Sequence, residues 1–242
     1  MIRYALFDLD DTLYPPAAGL MEALSRRFTR CIAEELGVTL EEAEALRREY
    51  GKRYGSTTRG LALHHNVDIG PFLARVHDLP IEEYLQPDPE LGCLLDCIHA
   101  QRCIFTNAPG AYARRVLDVL GVADRFCRVF AIEFSNYRGK PDPLVYERVA
   151  AELGASDPEI VMLDDVRANL LPAAQRGWTT VWVNGRGKPA DPEDLDGVDY
   201  VVGDLWEVAH VFREIGLLDA AHHEEWNRCL LRCPLGRRRA EP

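Results

Sequence analysis

The chain has 242 residues, of which 47% are hydrophobic and 28% are charged, and its formal net charge is −11. Such proportions are typical of a soluble globular protein with one good core and a smaller inserted lobe. The negative charge argues against binding a nucleic-acid polymer, whose partners are usually basic. No signal peptide or apolar stretch of roughly 20 residues is present, so no membrane partner is expected. Seven scattered cysteines indicate reduced thiols and a cytoplasmic location.

The first predicted strand is followed at once by three carboxylates. Residues 4–7 form an almost unbroken apolar run, which is typical of a strand buried in a parallel sheet. Asp8, Asp10 and Asp11 come directly after it. Negative charge crowded at the end of a buried strand is unfavourable unless a cation or a proton offsets it. These residues therefore indicate a functional site, although Asp11 and Thr12 would also suit the cap of a helix.

Residues 16–85 carry helical patterns and no strand pattern. An amphipathic helix is predicted over 20–36, and a capping box of Thr39 and Glu42 opens a charged helix to about Tyr54. Shorter helices are predicted over 57–65 and 71–76. Four successive helices would break the usual alternation of α/β folds, which favours an insertion, whereas helices that simply cover the sheet are the alternative.

The second predicted strand ends in small polar residues. A helix over 89–100 leads to a strand over 102–105, which is followed by Thr106 and Asn107. The Thr106 hydroxyl and nearby backbone amides could donate hydrogen bonds to an anion. An ordinary strand-to-helix turn capped by Asn107 is the alternative interpretation.

A lysine lies just before the next well-marked helix. A helix over 111–120 and a strand over 129–132 precede it. Asp142 as N-cap and a proline at the first position predict that the helix runs from 143 to 153. Lys140 is thereby fixed just before this helix, although a solvated lysine in a turn is the commoner case.

Paired carboxylates follow the fourth predicted strand. The strand covers 160–163 and ends in Asp164 and Asp165. A helix over 167–176 and strands over 179–183 and 200–202 complete the pattern. Considered alone, the pair has an ordinary interpretation, in which one of the two caps the following helix.

These four clusters resemble, in the same order, the four motifs of the haloacid dehalogenase-like (HAD) hydrolase superfamily. The matching residues are Asp8-x-Asp10-x-Thr12, Thr106, Lys140-Pro141 and Asp164-Asp165. The resemblance implies an α/β fold, namely a Rossmann-like parallel sheet core with helices on both faces and an inserted all-helical C1 cap. It predicts a core formed by residues 1–15 and 89–216, a cap at 16–88 and a C-terminal tail at 217–242.

The resemblance also implies an Mg²⁺-dependent phosphomonoester hydrolase that forms an aspartyl phosphate. Asp8 would be the nucleophile and Asp10 the general acid and base, with Thr106 and Lys140 completing the catalytic set. The Asp8 carboxylate is expected to have an ordinary pKa of about 4 and to be ionised at neutral pH. The implied Mg²⁺ ligands are the Asp8 carboxylate, the Asp10 backbone carbonyl and Asp165, with Asp164 bound directly or through water.

A closer resemblance is to the pyrimidine 5′-nucleotidase branch of this superfamily. It rests on residues 7–15, 54–61, 76–80 and 86–89, although the usual member has Asn where Asp11 stands. It implies nucleoside 5′-monophosphates as substrates, with Arg59, His64 and Asn107 as candidate substrate-binding residues. The alternatives are a phosphatase for another small phosphomonoester, such as a sugar phosphate, phosphoglycolate or a lysophospholipid, and a non-catalytic phosphoacceptor or scaffold domain. We expect a monomer or a homodimer.

Overall fold

The computed structural model describes residues 1–187 and 195–218, and its centre is one parallel sheet. The strands are β1 (Tyr4–Phe7), β2 (Gln101–Phe105), β3 (Arg128–Phe130), β4 (Ile160–Asp164), β5 (Thr179–Val183) and β6 (Tyr200–Val202). Their spatial order is β3-β2-β1-β4-β5-β6, and every neighbouring pair is parallel. The predicted α/β class and parallel Rossmann-like sheet are therefore confirmed.

Helices occupy the connections between the strands. The α-helices are α1 (Leu20–Leu36), α2 (Leu40–Tyr54), α3 (Thr57–His65), α4 (Ile69–Val76), α5 (Pro89–Asp96), α6 (Gly110–Leu120), α7 (Pro143–Leu153), α8 (Arg167–Arg176) and α9 (Val208–Glu214). Short 3-10 helices occur at Pro16–Ala18, Ile81–Glu83, Ala123–Arg125, Ile132–Ser135 and Asp157–Glu159. No helix in the described ranges is long and apolar enough to cross a membrane.

The helices α1–α4 follow one another between β1 and β2, and their boundaries match the local sequence signals. The helix α1 ends at Gly37, which has a left-handed φ of 66°. Thr39 and Glu42 form the predicted capping box of α2. The side chain of Ser56 caps α3. Within this helical segment α1 packs against α2 and α4, and α2 packs against α3.

Side chains alternate between the two faces of the sheet, and helices cover both faces. Along β1, Ala5 and Phe7 belong to the core that includes residues of α5, α6 and α9. Tyr4 and Leu6 belong to a second core, formed with residues of α7 and α8. All four β1 side chains are buried, as expected for a central strand of a parallel sheet.

The strand register brings the chemically interesting residues to one edge. Phe7 pairs with Ile104 of β2 and with Leu163 of β4, so the residues that follow these strands lie level with one another. From β1 the chain adds β2 and β3 on one side of the sheet, and from β4 it adds β5 and β6 on the other side. The carboxyl ends of β1 and β4 therefore form the topological switch point, where α/β proteins usually bind ligands.

Three predicted elements had a boundary wrong by two residues or more, the first being the helix predicted over 71–76, which begins at Ile69. The helix predicted over 89–100 ends at Asp96, because the chain turns and the His99 amide donates to the Leu217 carbonyl at 2.8 Å. The strand predicted over 129–132 is β3 at residues 128–130. Ile132 begins a 3-10 helix instead, and its carbonyl accepts a hydrogen bond from the Tyr137 amide.

The division into core, cap and tail stays a prediction. Leu217 and Leu218 are buried in the main core, so the packed chain extends into the first two residues of the predicted tail, which was expected to start at residue 217. The rest of that predicted tail, from residue 219, lies outside the described residues.

Candidate active site

Lys140 joins two carboxylates that come from opposite sides of the switch point. Its ammonium nitrogen lies 2.8 Å from Asp8 Oδ1 and 2.6 Å from Asp164 Oδ2. The Lys140 residue is only 2% exposed. Asp8 follows β1 and Asp164 is the last residue of β4, so the sheet brings together residues that are 156 positions apart in sequence. The sequence analysis had singled out all three residues.

Both oxygens of Asp164 are occupied by donors from the protein. Oδ1 accepts hydrogen bonds from the Val166 amide at 2.8 Å and from Asn169 Nδ2 at 2.9 Å. Oδ2 accepts from Lys140 Nζ. Since Asp164 is completely buried, these bonds offset the cost of removing its charge from water. Asp164 is therefore suited to holding Lys140 in place.

The charges in this cluster shift one another's pKa values. Burial raises the pKa of Asp8 well above its ordinary value, and the neighbouring charges of Asp164 and Asp165 add to the shift, although Lys140 opposes it. The expectation of an ordinary Asp8 pKa was therefore wrong for the protein alone. Burial alone would lower the pKa of Lys140, but the charges of Asp164 and Asp8 together raise it. The lysine is thus held in its charged form.

The carboxylates fit a divalent cation with a preference for oxygen ligands. Asp8, Asp164 and Asp165 each offer an oxygen atom, and these atoms lie within 4.8 Å of one another. Burial, followed by the charges of Asp164 and Asp11, raises the Asp165 pKa to about 7. If all three carboxylates are ionised, Lys140 leaves a net charge of about −2 in the cluster, which a divalent cation would neutralise. This donor set and charge suit Mg²⁺.

Two tyrosine hydroxyls hold the side chain of Asp10. Tyr112 donates a hydrogen bond of 2.7 Å to Asp10 Oδ1, and Tyr14 donates a short hydrogen bond to the same oxygen. Burial raises the Asp10 pKa, while these two bonds act to lower it. His77, at the end of α4, packs edge-on against the Tyr112 ring with centroids 4.8 Å apart. The helical segment between β1 and β2 thus contacts a residue that binds the predicted acid and base.

Asn107 fixes the backbone of Lys140. Its Oδ1 accepts a hydrogen bond from the Lys140 amide at 2.7 Å, and its Nδ2 donates to the Lys140 carbonyl at 2.9 Å. A Cβ at the preceding Gly139 would lie 2.6 Å from Asn107 Oδ1, and Gly139 has a left-handed φ of 68°, so this position requires glycine. The Thr106 hydroxyl oxygen accepts a hydrogen bond from the Ala108 amide at 3.0 Å, which leaves its proton free to be donated.

A cavity of about 510 Å³ opens above these groups. Its base includes Asp8, Asp10, Thr106, Lys140 and Asp165. Apolar and hydroxyl side chains from the helices between β1 and β2 form much of the opposite wall, namely Met21, Leu24, Ser25, Phe28, Ser56, Thr57, Thr58 and Leu73. Arg47, Arg138 and Arg186 also line the cavity. The space therefore has an ionic base and a mixed apolar and polar wall.

The structure does not bring the two predicted substrate-binding residues of α3 to this cavity. Arg59 and His64 are exposed and are not among the described residues that line it. His64 Nε2 instead lies 2.5 Å from the Tyr54 hydroxyl. The first turn of α3, beginning at Ser56, faces the cavity, because Thr58 and Leu61 turn inward while positions 59 and 64 point toward solvent. The remaining predicted residues of the site lie at or beside the cavity base.

Sequence reasoning missed Tyr14, Tyr112 and Arg186. Tyr14 stood inside the first motif, so its spacing of four residues from Asp10 was a usable signal. Tyr112 and Arg186 approach Asp10 and Asp11 across 102 and 175 residues of sequence. No local pattern indicates such contacts.

Comparison with known proteins agrees with this architecture. A family model described as a haloacid dehalogenase-like hydrolase matches residues 2–177. A Saccharomyces cerevisiae protein, phosphate metabolism protein 8, is 27% identical over 71% of this chain, and the match spans 58% of the yeast protein. Validoxylamine A 7′-phosphate phosphatase of Streptomyces hygroscopicus is 28% identical over 86% of this chain and 96% of its own length. The crystal structure of a HAD phosphatase from Thermococcus onnurineus superposes with a TM-score of 0.60 at 25% identity, covering 87% of this chain and 98% of that one. The chain therefore belongs to the haloacid dehalogenase-like hydrolases.

Proposed function

We propose that the protein is an Mg²⁺-dependent phosphatase that hydrolyses small phosphomonoesters through an aspartyl phosphate on Asp8. One observation carries the proposal: Lys140 is buried between Asp8 and Asp164 at the base of a cavity that Asp10 also lines. A carboxylate nucleophile, a fixed cation and a second, separately held carboxyl group are the parts that this reaction needs.

In the first half-reaction, an Asp8 oxygen attacks the phosphorus atom as the bond to the leaving oxygen breaks. Lys140 offsets negative charge at the base of the site, and the Thr106 hydroxyl can donate to a phosphoryl oxygen. Protonated Asp10 gives its proton to the departing alkoxide, which leaves as an alcohol. A bound Mg²⁺, held by Asp8 and Asp165 with the Asp10 backbone carbonyl and with Asp164 as a direct or water-bridged neighbour, would neutralise charge on the phosphoryl group.

In the second half-reaction, Asp10 acts as the base. Its carboxylate removes a proton from water, and the oxygen of that water attacks the phosphorus atom of the aspartyl phosphate. Inorganic phosphate leaves, and both Asp8 and the protonated Asp10 are regenerated. The hydrogen bonds from Tyr14 and Tyr112 to Oδ1 leave Oδ2 as the oxygen for proton transfer.

The proposed substrates are pyrimidine nucleoside 5′-monophosphates. The resemblance of residues 54–61 and 76–80 to the pyrimidine 5′-nucleotidases supports this class, as does the cavity. Its volume of about 510 Å³ exceeds the need of a two-carbon phosphate ester, and Phe28 and Leu24 offer apolar contacts beside several hydroxyl groups. A phosphatase for another small phosphomonoester is the second candidate, because a relative is named for validoxylamine A 7′-phosphate. A non-catalytic phosphoacceptor is disfavoured, since Asp10 would expose a stored acyl phosphate to hydrolysis.

Release of inorganic phosphate from a panel of esters tests the proposal. The panel contains UMP, CMP, dUMP, AMP, phosphoglycolate and lysophosphatidate, assayed with Mg²⁺ and again with excess EDTA. We expect the highest kcat/KM for the pyrimidine nucleotides, no release in EDTA and no release by Asp8→Asn. The matched control is Asp118→Asn on the exposed side of α6, which should retain wild-type turnover. Phosphate release by purified Asp8→Asn at the wild-type rate would refute the assignment.

A further inference from the structure

Asp11 places a further carboxylate in the wall of the cavity. It is 3% exposed, adopts a left-handed φ of 56° and lines the cavity beside Asp8 and Asp10. Its Oδ1 atom is buried, and no hydrogen-bond partner for it is found among the described residues. A buried carboxylate with one unsatisfied oxygen is costly and needs a specific compensating charge.

Arg186 provides that charge from a different part of the fold. Its Nη2 atom lies 2.5 Å from Asp11 Oδ2. The arginine belongs to a turn after β5 in which the Gly187 amide donates to the Asn184 carbonyl. A Cβ at Gly185 would lie 3.1 Å from Pro16 Cδ, so this turn packs closely against the segment that follows the first motif. The Arg186 side chain is 55% exposed and lines the same cavity.

The charges around the cavity indicate how this ion pair could affect the binding of an anion. Asp8, Asp164 and Asp165, taken as ionised, are balanced by Lys140 together with a divalent cation. Arg47 and Arg138 also line the cavity, but they are paired with Glu44 and Asp142. Asp11 would then leave one uncompensated negative charge facing the site where a dianionic phosphate must bind. Like charges in a partly buried site repel strongly, because solvent screening there is weaker than in bulk water. The positive charge of Arg186 neutralises the negative charge of Asp11.

We propose that Arg186 is a positioning residue that acts through Asp11, and that their ion pair sets the affinity of the cavity for a phosphate dianion. The inference rests on the proposed function for its biological meaning, but the affinity for inorganic phosphate can be measured without turnover. The repulsion that Asp11 would exert is similar in the bound ester and in the transition state. Losing Arg186 should therefore raise KM and leave kcat nearly unchanged.

The test compares Arg186→Gln, Asp11→Asn, the double variant and Arg186→Lys. Binding of inorganic phosphate is measured by calorimetry in the presence of Mg²⁺, and kcat and KM are measured with UMP. We expect R186Q to weaken phosphate binding and raise KM at least tenfold, with kcat within about threefold of wild type. The double variant R186Q/D11N and the conservative variant R186K should both bind phosphate within about threefold of wild type.

A matched control removes an arginine pair that lies away from the cavity. Arg128 lies 2.5 Å from Glu152 on the surface, and neither residue lines the cavity within the described part of the chain. Arg128→Gln should leave phosphate affinity and KM unchanged. Should R186Q fail to fold, the double variant still tests the claim, because it lacks Arg186 but keeps the pair neutral: phosphate binding within about threefold of wild type supports the claim, and a loss of at least tenfold contradicts it.

Three results would overturn the inference. A double variant that binds phosphate as weakly as R186Q would mean that Arg186 contacts the anion itself. Equal phosphate affinity in wild type and R186Q would mean that the Asp11 charge has no influence. Failure of the wild type to bind phosphate with Mg²⁺ present would show that the cavity has no phosphate affinity for the ion pair to set. In contrast, phosphate binding with the expected order, but without ester hydrolysis by the wild type, would refute the proposed function and support the inference.

Discussion

Lys140→Met preserves most of the length of the side chain and removes the ammonium that Asp8 and Asp164 share. The two carboxylates lie 2.8 and 2.6 Å from that nitrogen, and the lysine side chain is 1% exposed. Breaking a buried ion pair by removing one partner typically costs about 3–5 kcal/mol, because the other charge is left uncompensated. Asp8 can relieve part of this cost by taking up a proton, since burial already raises its pKa. We therefore expect a loss of about 3 kcal/mol in the free energy of unfolding when no divalent cation is present.

The same reasoning predicts how Mg²⁺ changes that loss. Without the ammonium, the cluster of Asp8, Asp164 and Asp165 is more negative and should bind a divalent cation more tightly. A ligand at 100 times its Kd stabilises a protein by about 2.7 kcal/mol. Urea denaturation is measured at pH 7.5 in EDTA and in Mg²⁺, with exposed Lys52→Met as the control, which should stay within about 0.5 kcal/mol of wild type. A Lys140→Met variant as stable as wild type in EDTA, or one that Mg²⁺ stabilises less than it stabilises wild type, would refute this account of the cluster.

Two further predictions concern the residues around Asp10. Tyr112→Phe removes one of the donors to Asp10 Oδ1, so kcat/KM should fall roughly tenfold for UMP, whose leaving oxygen needs a proton, and much less for p-nitrophenyl phosphate. Half-buried Tyr200→Phe, which removes a hydroxyl that donates to Glu214 away from the cavity, is the control, and an equal fall for both esters would contradict the assigned role. Burial lowers the His77 pKa to about 4, so the unfolded chain binds the extra proton first as the pH falls below about 6.5. Between pH 7.5 and pH 5, His77 should therefore cost wild type about 2 kcal/mol of stability. His77→Asn should lose that component in urea denaturation, whereas His64→Asn should retain it. A His77→Asn profile parallel to wild type would show that the ring is not held neutral by the fold.

The positions of most strands could be predicted from sequence because they are short apolar runs that are followed by polar or charged residues. The run at 4–7, followed by Asp8, and the run at 160–163, followed by Asp164, needed no tertiary information to identify. That these two strand ends meet followed from the rule that parallel strands end at a common edge, whereas the place of Lys140 beside them was implied by the resemblance to the HAD hydrolases. Capping residues such as Thr39 fixed the starts of helices for the same local reason.

The remaining features depend on contacts that a local pattern does not contain. Whether Arg59 faces solvent or the cavity depends on how α3 is rotated about its axis, and packing against its neighbours decides that. The pKa of Asp8 depends on burial, which arises only when the helices close over the sheet. The pairing of Asp11 with Arg186 joins the loop after β1 to the loop after β5, and charged residues are too common for such a pair to be chosen by composition.

The two hydrogen bonds between Asn107 and the Lys140 backbone have a consequence for how an anion is received. In one the Lys140 amide is the donor, and in the other the Lys140 carbonyl is the acceptor. The backbone of the lysine is therefore held in place by the segment that follows β2 and not only by its own loop. Its conformational entropy is lost once, when the chain folds, and an arriving phosphate does not have to order it again. The base of the cavity is therefore preorganised for the phosphate, and the helices that form the opposite wall can differ in side chains to suit different leaving groups.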